Sequence, residues 1–408
     1  MSKPDITRKA PVRPPLSLDK AATLVARGLG MSQEELAQAF RPATMADLPQ
    51  ILALRRAVLT DDLVWDDAAY LSWRYKLGRP GEGAGECWVL TRGDELIGMI
   101  GTEDLTLTVA GVSVDGIRVM DILVQPHMLG KGLGPWFGLT MQSKTRFAMA
   151  VGANTNSKRM IERTFEVLPN RRIFIHPIGL GQFVLKRLKW APLAGAVSTL
   201  ADWGLVVARA CLLGYGLSGI KVKKLDRLPD ELPALLSRSV RSDRVEVLRS
   251  AASLSWRFGT PRARFDIWGA WHQGVLVGLM VTRPDVLANG RQSWMIMDVI
   301  LQEDMKPAVL RALLRLVVGE ARGQNVGYLS IVSYRKDIEH LLSRVGFIER
   351  SWAHRAIAWL RSQDAQIAAN TEANNANLMA WSCTDDVLRA HVTAGADWSF
   401  NELHCDGG

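Results

Sequence analysis

The spacing of apolar and polar residues predicts the same series of elements twice along the chain. Residues 87–101 and 267–281 each place two apolar runs on either side of a polar turn with glycine, which is the pattern of a β-hairpin. Each hairpin is followed by an apolar strand, a long helix, another strand and a further helix. Because hairpins and a strand–helix–strand crossover coexist, we expect α/β units, each with a mixed sheet.

Four sequence blocks recur in the same order, which indicates an internal duplication. The blocks are DLPQIL (47–52) with DELPALL (230–236), LSWRY (71–75) with LSWRF (254–258), the two hairpins, and VMDIL (119–123) with IMDVI (296–300). We therefore predict two tandem units, a first unit of residues 39–178 and a second unit of residues 220–362. The length of 408 residues, too great for one ordinary core, agrees with two units.

The segments outside the two units have their own composition. We expect residues 1–38, which begin rich in proline, lysine and arginine, to form a flexible basic tail, and the acidic residues 363–408 to form a polar tail. We predict that residues 179–219, which are apolar and basic, form a helical connector between the units. The sequence shows neither a secretory signal nor a clean apolar run of membrane-spanning length, so we expect a cytoplasmic protein.

Charge and cysteine content narrow the classes of partner. The net charge is +9, and residues 156–190 hold eight lysines and arginines against two glutamates, which permits nucleic acid, anionic lipid or a phosphate-rich cofactor. No zinc finger or RNA-binding aromatic motif accompanies this basic patch, so we expect no nucleic-acid partner. The four cysteines lie far apart without metal-ligand spacing, and we predict neither a disulfide framework nor a metal site.

The motif most suited to chemistry lies between the strand that holds VMDILV and the helix that begins near Pro135. Residues 125–134 read Gln-Pro-His-Met-Leu-Gly-Lys-Gly-Leu-Gly. Alternate glycines let the backbone turn its N–H groups toward one point, and the helix N-terminus behind them adds partial positive charge. The loop predicts a pyrophosphate site to which Lys131 adds charge, with a purely structural glycine turn as the alternative.

The order of elements around this loop resembles the GNAT superfamily of N-acetyltransferases. Val124-Gln125-Pro126 and the glycines from Gly130 to Gly134 match its acyl-CoA loop, and Asn154 matches an asparagine common after the next strand. The resemblance implies two tandem GNAT-like units, with acetyl-CoA or another acyl-CoA as co-substrate, no metal, and direct attack of an amine on the thioester. The residues that it assigns to the cofactor are Leu123, Val124, Gly130, Lys131, Gly132, Leu133, Gly134 and Asn154.

Both units depart from the GNAT pattern. Leu129 stands where an arginine usually precedes the first loop glycine, and Leu342 stands where the second unit would carry the tyrosine that often acts as general acid. The corresponding loop of the second unit, residues 302–308, has no glycine and two acidic residues, so we expect it not to bind CoA. The prediction is one CoA-binding unit and one unit that shapes the acceptor site.

Asp121, on the strand leading into the loop, is the candidate catalytic base, because the resemblance places a carboxylate there. Asp298 holds the same place in the second unit, so a structural role, bonded to the repeated Trp-Arg pair, is the alternative that we favour. Trp73 and Arg74 would suit a sugar ring, although their repetition also fits packing. The weaker candidates for the base are Glu103 and Asp104.

We predict an acyl-CoA-dependent N-acyltransferase that transfers an acetyl group to a small amine such as an amino sugar. The alternatives are a non-catalytic CoA-binding or scaffold protein of a surface-polysaccharide system and, more distantly, aminoacyl transfer from tRNA, which the intact loop disfavours. Residues 183–220, basic and aromatic at the start and then apolar, fit a helix packed between the units, which we favour, or peripheral contact with a membrane. The acceptor, the acyl length and the oligomeric state stay open.

Overall fold

The computed structural model of the chain describes most of both units and parts of the flanking segments. The described residues are 16–59, 68–77, 85–109, 111–152, 155–168, 172–179, 200, 203–204, 206–207, 211–214, 219–241, 244–261, 263–286, 292–333, 335–350, 378–393 and 397–399.

The described residues form the following helices and strands. The helices are α1 (Leu18–Leu29), α2 (Gln33–Ala39), α3 (Leu48–Val58), α4 (Ala68–Arg74), α5 (Leu133–Ser143), α6 (Thr155–Thr164), α7 (Leu232–Ser239), α8 (Ala251–Phe258), α9 (Lys306–Gly323), α10 (Lys336–Arg344) and α11 (Asp386–Thr393). The strands are β1 (Phe40–Pro42), β2 (Cys87–Arg92), β3 (Glu95–Val109), β4 (Val112–Val124), β5 (Phe147–Val151), β6 (Glu166–Leu168), β7 (Arg172–Pro177), β8 (Ile220–Leu225), β9 (Arg244–Val247), β10 (Asp266–His272), β11 (Val275–Val286), β12 (Gln292–Leu301), β13 (Tyr328–Ser333), β14 (Ile348–Glu349), β15 (Met379–Cys383) and β16 (Asp397–Ser399).

The strands form two mixed sheets with the same layout. The first sheet runs β1-β2-β3-β4-β5-β15-β6 and also carries β9 and β16, and the second runs β8-β10-β11-β12-β13-β7-β14. In both sheets the hairpin strands pair antiparallel, whereas β4 pairs parallel with β5 and β12 pairs parallel with β13. The expected mixed α/β fold is confirmed.

The two sheets exchange strands at matching positions, and β9 of the second unit also pairs with β3 of the first sheet. β7, which follows β6 along the chain, lies in the second sheet between β13 and β14. In return β15, close to the end of the chain, lies in the first sheet between β5 and β6. If the chain were divided at residue 178, each sheet would therefore still contain strands from both sides of the division.

The structure differs from the two tails expected from the sequence. Near the N-terminus, the hydroxyl of Ser17 caps α1, and Ser32 forms a capping box with Glu35 at the start of α2. Val25 of α1 is fully buried in the hydrophobic core of the first unit. At the other end, β15 and α11 lie within the region expected to be an acidic polar tail, and β15 buries Trp381. The prediction of tails relied on the overall composition of each segment. That composition did not reveal the short apolar stretches that form α1, α2, β15 and α11. The Asn-rich stretch 369–377 lies outside the described residues.

Two glycines set how closely a helix approaches each sheet. A Cβ at Gly98 of β3 would lie 2.9 Å from the ring of Phe137 in α5, and one at Gly278 of β11 would lie 2.3 Å from Val309 in α9. Helices α1, α2, α5 and α6 cover this face of the first sheet, and α3 and α4 cover the other. Each long helix is thus held tightly against the second strand of its hairpin, β3 or β11.

The connector is described only in short pieces between residues 200 and 214. Leu200, Trp203 and Val207 are exposed there, whereas Leu213 is buried against the core of the second unit. Residues 180–199, with most of the basic start of the connector, lie outside the described residues. Among the helices that the structure describes, none combines the length and the hydrophobicity needed to cross a membrane.

Candidate functional site

The strand β4 leaves its parallel partner before it reaches the glycine loop. Pairing with β5 runs from Gly116 opposite Phe147 to Val119 opposite Ala150 and ends there. Residues 120–124 continue beside β3 alone, with an irregular register at the bulge opposite Ile100. The edge of β4 that faces β5 therefore opens into a cleft. The candidate residues Leu123 and Val124 lie on this open stretch, Leu123 buried in the core and Val124 half-buried.

The glycine loop presents a set of backbone donors at the start of α5. A 3₁₀ turn at Pro126–Met128 leads into Gly130 and Gly132, whose φ angles of 82° and 83° are left-handed. In the part of the chain that the structure describes, the backbone N–H groups of these glycines and of the first two helical residues have no acceptor. Such a group of donors at a helix N-terminus can bind the oxygens of an anion. The four residues that the structure brings together here are Gly130, Gly132, Leu133 and Gly134.

Helix α1 packs beside this loop, which the sequence analysis did not anticipate. A Cβ at Gly132 would lie 3.7 Å from Val25, and one at Gly28 would lie 3.7 Å from the Cβ of Lys131. The stem of Lys131 therefore runs along α1. The signal that could have revealed the helix is the serine cap at Ser17 followed by an apolar repeat that ends at a left-handed glycine. Of the other predicted residues, Asn154 lies outside the described residues.

Asp121 lies at the β4 bulge in an unusual backbone conformation, and its carboxylate contacts three described side chains. Its φ is 47°, and its Oδ2 accepts a 2.5 Å hydrogen bond from the hydroxyl of Tyr75. The guanidinium of Arg55 lies 3.3 Å from the same oxygen, and Nε of Arg74 lies 3.7 Å from it. Burial, and then the charge of Asp121, raise the pKa of Tyr75, so its hydroxyl stays protonated as a donor. Two cations and a donor therefore engage the carboxylate in structural contacts.

Asp298 of the second unit is held differently. It is 1% exposed, its Oδ1 accepts from Arg249 at 2.8 Å, and the same oxygen accepts the N–H of Val299 at 2.8 Å. Arg257, the repeat of Arg74, pairs with Glu103 of the first unit. Among the described contacts, Arg74 pairs with Asp121 as the hypothesis expects, whereas the ion pair described for Asp298 is with Arg249.

In the second unit, charged side chains fill the cleft that corresponds to the open one. β12 leaves β13 after Ile296, and there the buried Arg335 donates to the carbonyl of Val299 at 2.9 Å. Asp337 accepts from Lys306 at 2.7 Å and from Arg244 at 3.1 Å. Burial raises the pKa of Asp337, but the neighbouring cations, with Arg335 first, bring it below its usual range. This buried network occupies the space behind a loop that has no glycine.

Of the remaining candidates, Trp73 and Glu103 contact the second unit, and the ion pair described for Asp104 lies within the first. The indoles of Trp73 and Trp256 stack 4.5 Å apart at 8°, and each ring nitrogen donates to the other's backbone carbonyl at 3.1 Å. Glu103 is buried between Arg118 and Arg257, while Asp104 is exposed and pairs with Lys76 at 2.6 Å. Trp73 and Glu103 are therefore engaged in packing and ion pairs across the boundary between the units.

Sequence reasoning missed three residues of this region. Arg55 and Tyr75 hold Asp121, and Arg335 fills the second cleft. For Tyr75 a signal existed, because the otherwise identical pentapeptides LSWRY and LSWRF differ only in this hydroxyl. For Arg55 and Arg335 no local pattern distinguishes them from other basic residues on helices or loops.

Comparison with known proteins places the fold. No protein-family model matches the chain, and no curated protein matches it. A protein of unknown function and probable N-acyltransferase from Enterococcus faecalis V583 aligns with a TM-score of 0.51 and 10% identity over 76% of this chain and 69% of its own. A GCN5-related N-acetyltransferase from Anabaena variabilis ATCC 29413 aligns with a TM-score of 0.55 and 9% identity over 86% of this chain and 73% of its own. At this identity the likeness shows the fold, which is that of the GCN5-related N-acetyltransferases.

Proposed function

We propose that the protein is an acyl-CoA-dependent N-acyltransferase that acetylates a small amine, such as an amino sugar, and that its first unit binds the CoA. The observation that carries this proposal is the combination of unpaired loop N–H groups with an adjacent open stretch of β4. Only the first unit combines these two features among the described residues. The fold shared with GCN5-related N-acetyltransferases supports the class of reaction.

The residues of the loop fit a CoA pyrophosphate. The N–H groups of Gly130, Gly132, Leu133 and Gly134 would bind its oxygens, and no atom lies within 4 Å of a Cβ placed at Gly130, so the approach there is open. Lys131 would add positive charge. Leu123 and Val124 would line the thioester, and Asn154 remains a candidate for the same cofactor. The bound acyl-CoA supplies an activated thioester, so no metal is required.

The described residues favour catalysis by positioning. Asp121 is held as an anion by Arg55, Arg74 and Tyr75, so we infer that the amine loses its proton to water. Holding amine and thioester in contact supplies the acceleration. The second unit, whose cleft is filled by Arg335 and Asp337, would shape the acceptor side. The matching strand order of the two sheets supports an origin by tandem duplication.

A second candidate is a CoA-binding or scaffold protein without turnover, for example in a surface-polysaccharide system. The observation that favours it is Leu129, exposed at the position where GNAT proteins usually carry an arginine. A protein of this kind would bind CoA at the same loop but would not catalyse acyl transfer.

Calorimetry with acetyl-CoA and longer acyl-CoAs tests the binding, followed by detection of released CoA thiol with a panel of amines. We expect one site per chain and amine-dependent thiol release. Binding without release for any amine would favour the scaffold, and no binding, or two equivalent sites, would refute the assignment to the first unit.

A further inference from the structure

The two units treat one backbone position in opposite ways. In the second unit, Val299 donates its N–H to Asp298 and accepts at its carbonyl from Arg335, so side chains take both polar groups. The corresponding residue of the first unit is Ile122, which follows Asp121 at the β4 bulge. Within the described residues, no side chain hydrogen-bonds to the backbone of Ile122. The open cleft thus differs from the filled one in its hydrogen bonds as well as in its space.

The direction of the aspartate side chain explains why the backbone N–H is bonded in the second unit and not in the first. Asp298 turns back to its own strand and accepts the next N–H. Asp121 has a left-handed φ of 47° and directs its carboxylate instead to Tyr75 and the two arginines of α3 and α4. The residue that repeats Tyr75 in the second unit is Phe258, which has no hydroxyl to attract a carboxylate.

The residue that faces the Tyr75 hydroxyl also differs between the two units. Tyr75 lies across Gly101 of β3, where a Cβ would approach the phenol oxygen to 2.1 Å. The corresponding residue of β11 is the buried Val281. A valine at position 101 would collide with the tyrosine, so the first unit has both the hydroxyl and the space for it, and the second unit has neither.

We propose that Tyr75 is a positioning residue that draws Asp121 away from the N–H of Ile122 and so keeps the backbone of the open β4 stretch free for the acyl thioester. This inference rests on the proposed function. Tyr75 itself is 1% exposed and touches no substrate. Loss of this hydroxyl removes the shortest contact described for the Asp121 carboxylate, and we expect the carboxylate then to turn to the N–H of Ile122, as Asp298 turns to that of Val299.

The test compares the dissociation constants of CoA and acetyl-CoA by calorimetry in wild type and Tyr75→Phe. We expect CoA to bind Tyr75→Phe as it binds wild type, because the glycine loop is intact, and acetyl-CoA to bind about tenfold more weakly, as for one lost hydrogen bond. The matched control is Tyr70→Phe, which removes a nearby buried hydroxyl that bonds to Arg74. This control should leave both constants unchanged.

A rescue variant separates positioning from a merely structural role. In Tyr75→Phe/Asp121→Gly no carboxylate can reach Ile122, and glycine adopts the left-handed φ without strain, so acetyl-CoA affinity should return to near that of wild type. Equal acetyl-CoA affinity in wild type and Tyr75→Phe, or no recovery in a double variant that melts as a folded protein, would overturn the inference. A wild-type protein that binds neither ligand would instead overturn the proposed function, and this inference with it.

Discussion

Replacing Gly132 by aspartate tests whether the glycine loop binds a pyrophosphate. Gly132 precedes α5 with a φ of 83°, and a Cβ there would make an ordinary 3.7 Å contact with Val25. The substitution therefore adds left-handed strain and a negative charge without a collision. We expect the strain to lower the free energy of unfolding by about 1–2 kcal/mol. For a chain of this size that corresponds to a fall of a few degrees in the melting temperature.

The effect on the ligand should be larger than the effect on the fold. One carboxylate about 5 Å from one phosphate charge, at an effective dielectric constant of about 20, opposes binding by about 3 kcal/mol. That energy corresponds to a loss of roughly 100-fold in affinity for acetyl-CoA. The loss of the N–H geometry at the helix N-terminus would add to it.

Gly274→Asp provides a control with the same backbone strain. Gly274, in the turn between β10 and β11, has a φ of 82° and no atom within 4 Å of its Cβ position. Both variants should melt within a few degrees of each other, and only Gly132→Asp should lose acetyl-CoA in calorimetry. A folded Gly132→Asp protein that binds acetyl-CoA as tightly as wild type would refute the loop assignment.

Three further substitutions test the architecture around the site. Trp256→Ala should lower the free energy of unfolding by about 3 kcal/mol in denaturant titrations, because it removes the stacked pair between the units, whereas Trp203→Ala on an exposed position should have little effect. Asp298→Asn should cost about 3 kcal/mol by leaving the buried Arg249 without its full counter-charge, and an unchanged denaturation midpoint would contradict this. The hydrogen bonds from Arg41 lower the pKa of Asp47 to about 2 against the effect of burial, so its contribution of about 2 kcal/mol is present above pH 4 and lost as the pH falls to 2. Asp47→Asn should remove this part of the acid dependence of stability, and an identical acid profile would show that the ion pair contributes nothing.

The local patterns of the sequence were sufficient for the hairpins and for the glycine loop. Apolar runs on either side of a polar turn with glycine define β2, β3, β10 and β11, and the glycines at 130 and 132 take the left-handed angles that such a loop requires. These features depend on neighbours within a few residues, so their chemistry can be read from short windows.

Features that depend on distant residues could not be read in this way. Nothing in residues 172–177 indicates that they pair with β13, because strand propensity does not name a partner. The bond between Tyr75 and Asp121 joins residues on different elements across the sheet. Repetition of Asp121 as Asp298 suggested equal roles, whereas the structure gives the two carboxylates different partners.

The exchanged strands determine the order in which the chain can fold. Until residues 379–383 are synthesised, β15 is missing from its position between β5 and β6. The strand β7 does not fill that position, because it pairs with β13 and β14 of the second sheet. The nascent first sheet therefore carries open strand edges, which are prone to pair with other chains. Closing it requires contacts between residues more than two hundred positions apart, which folding theory associates with slow, late steps. The two units, although alike in layout, must then reach their native state together.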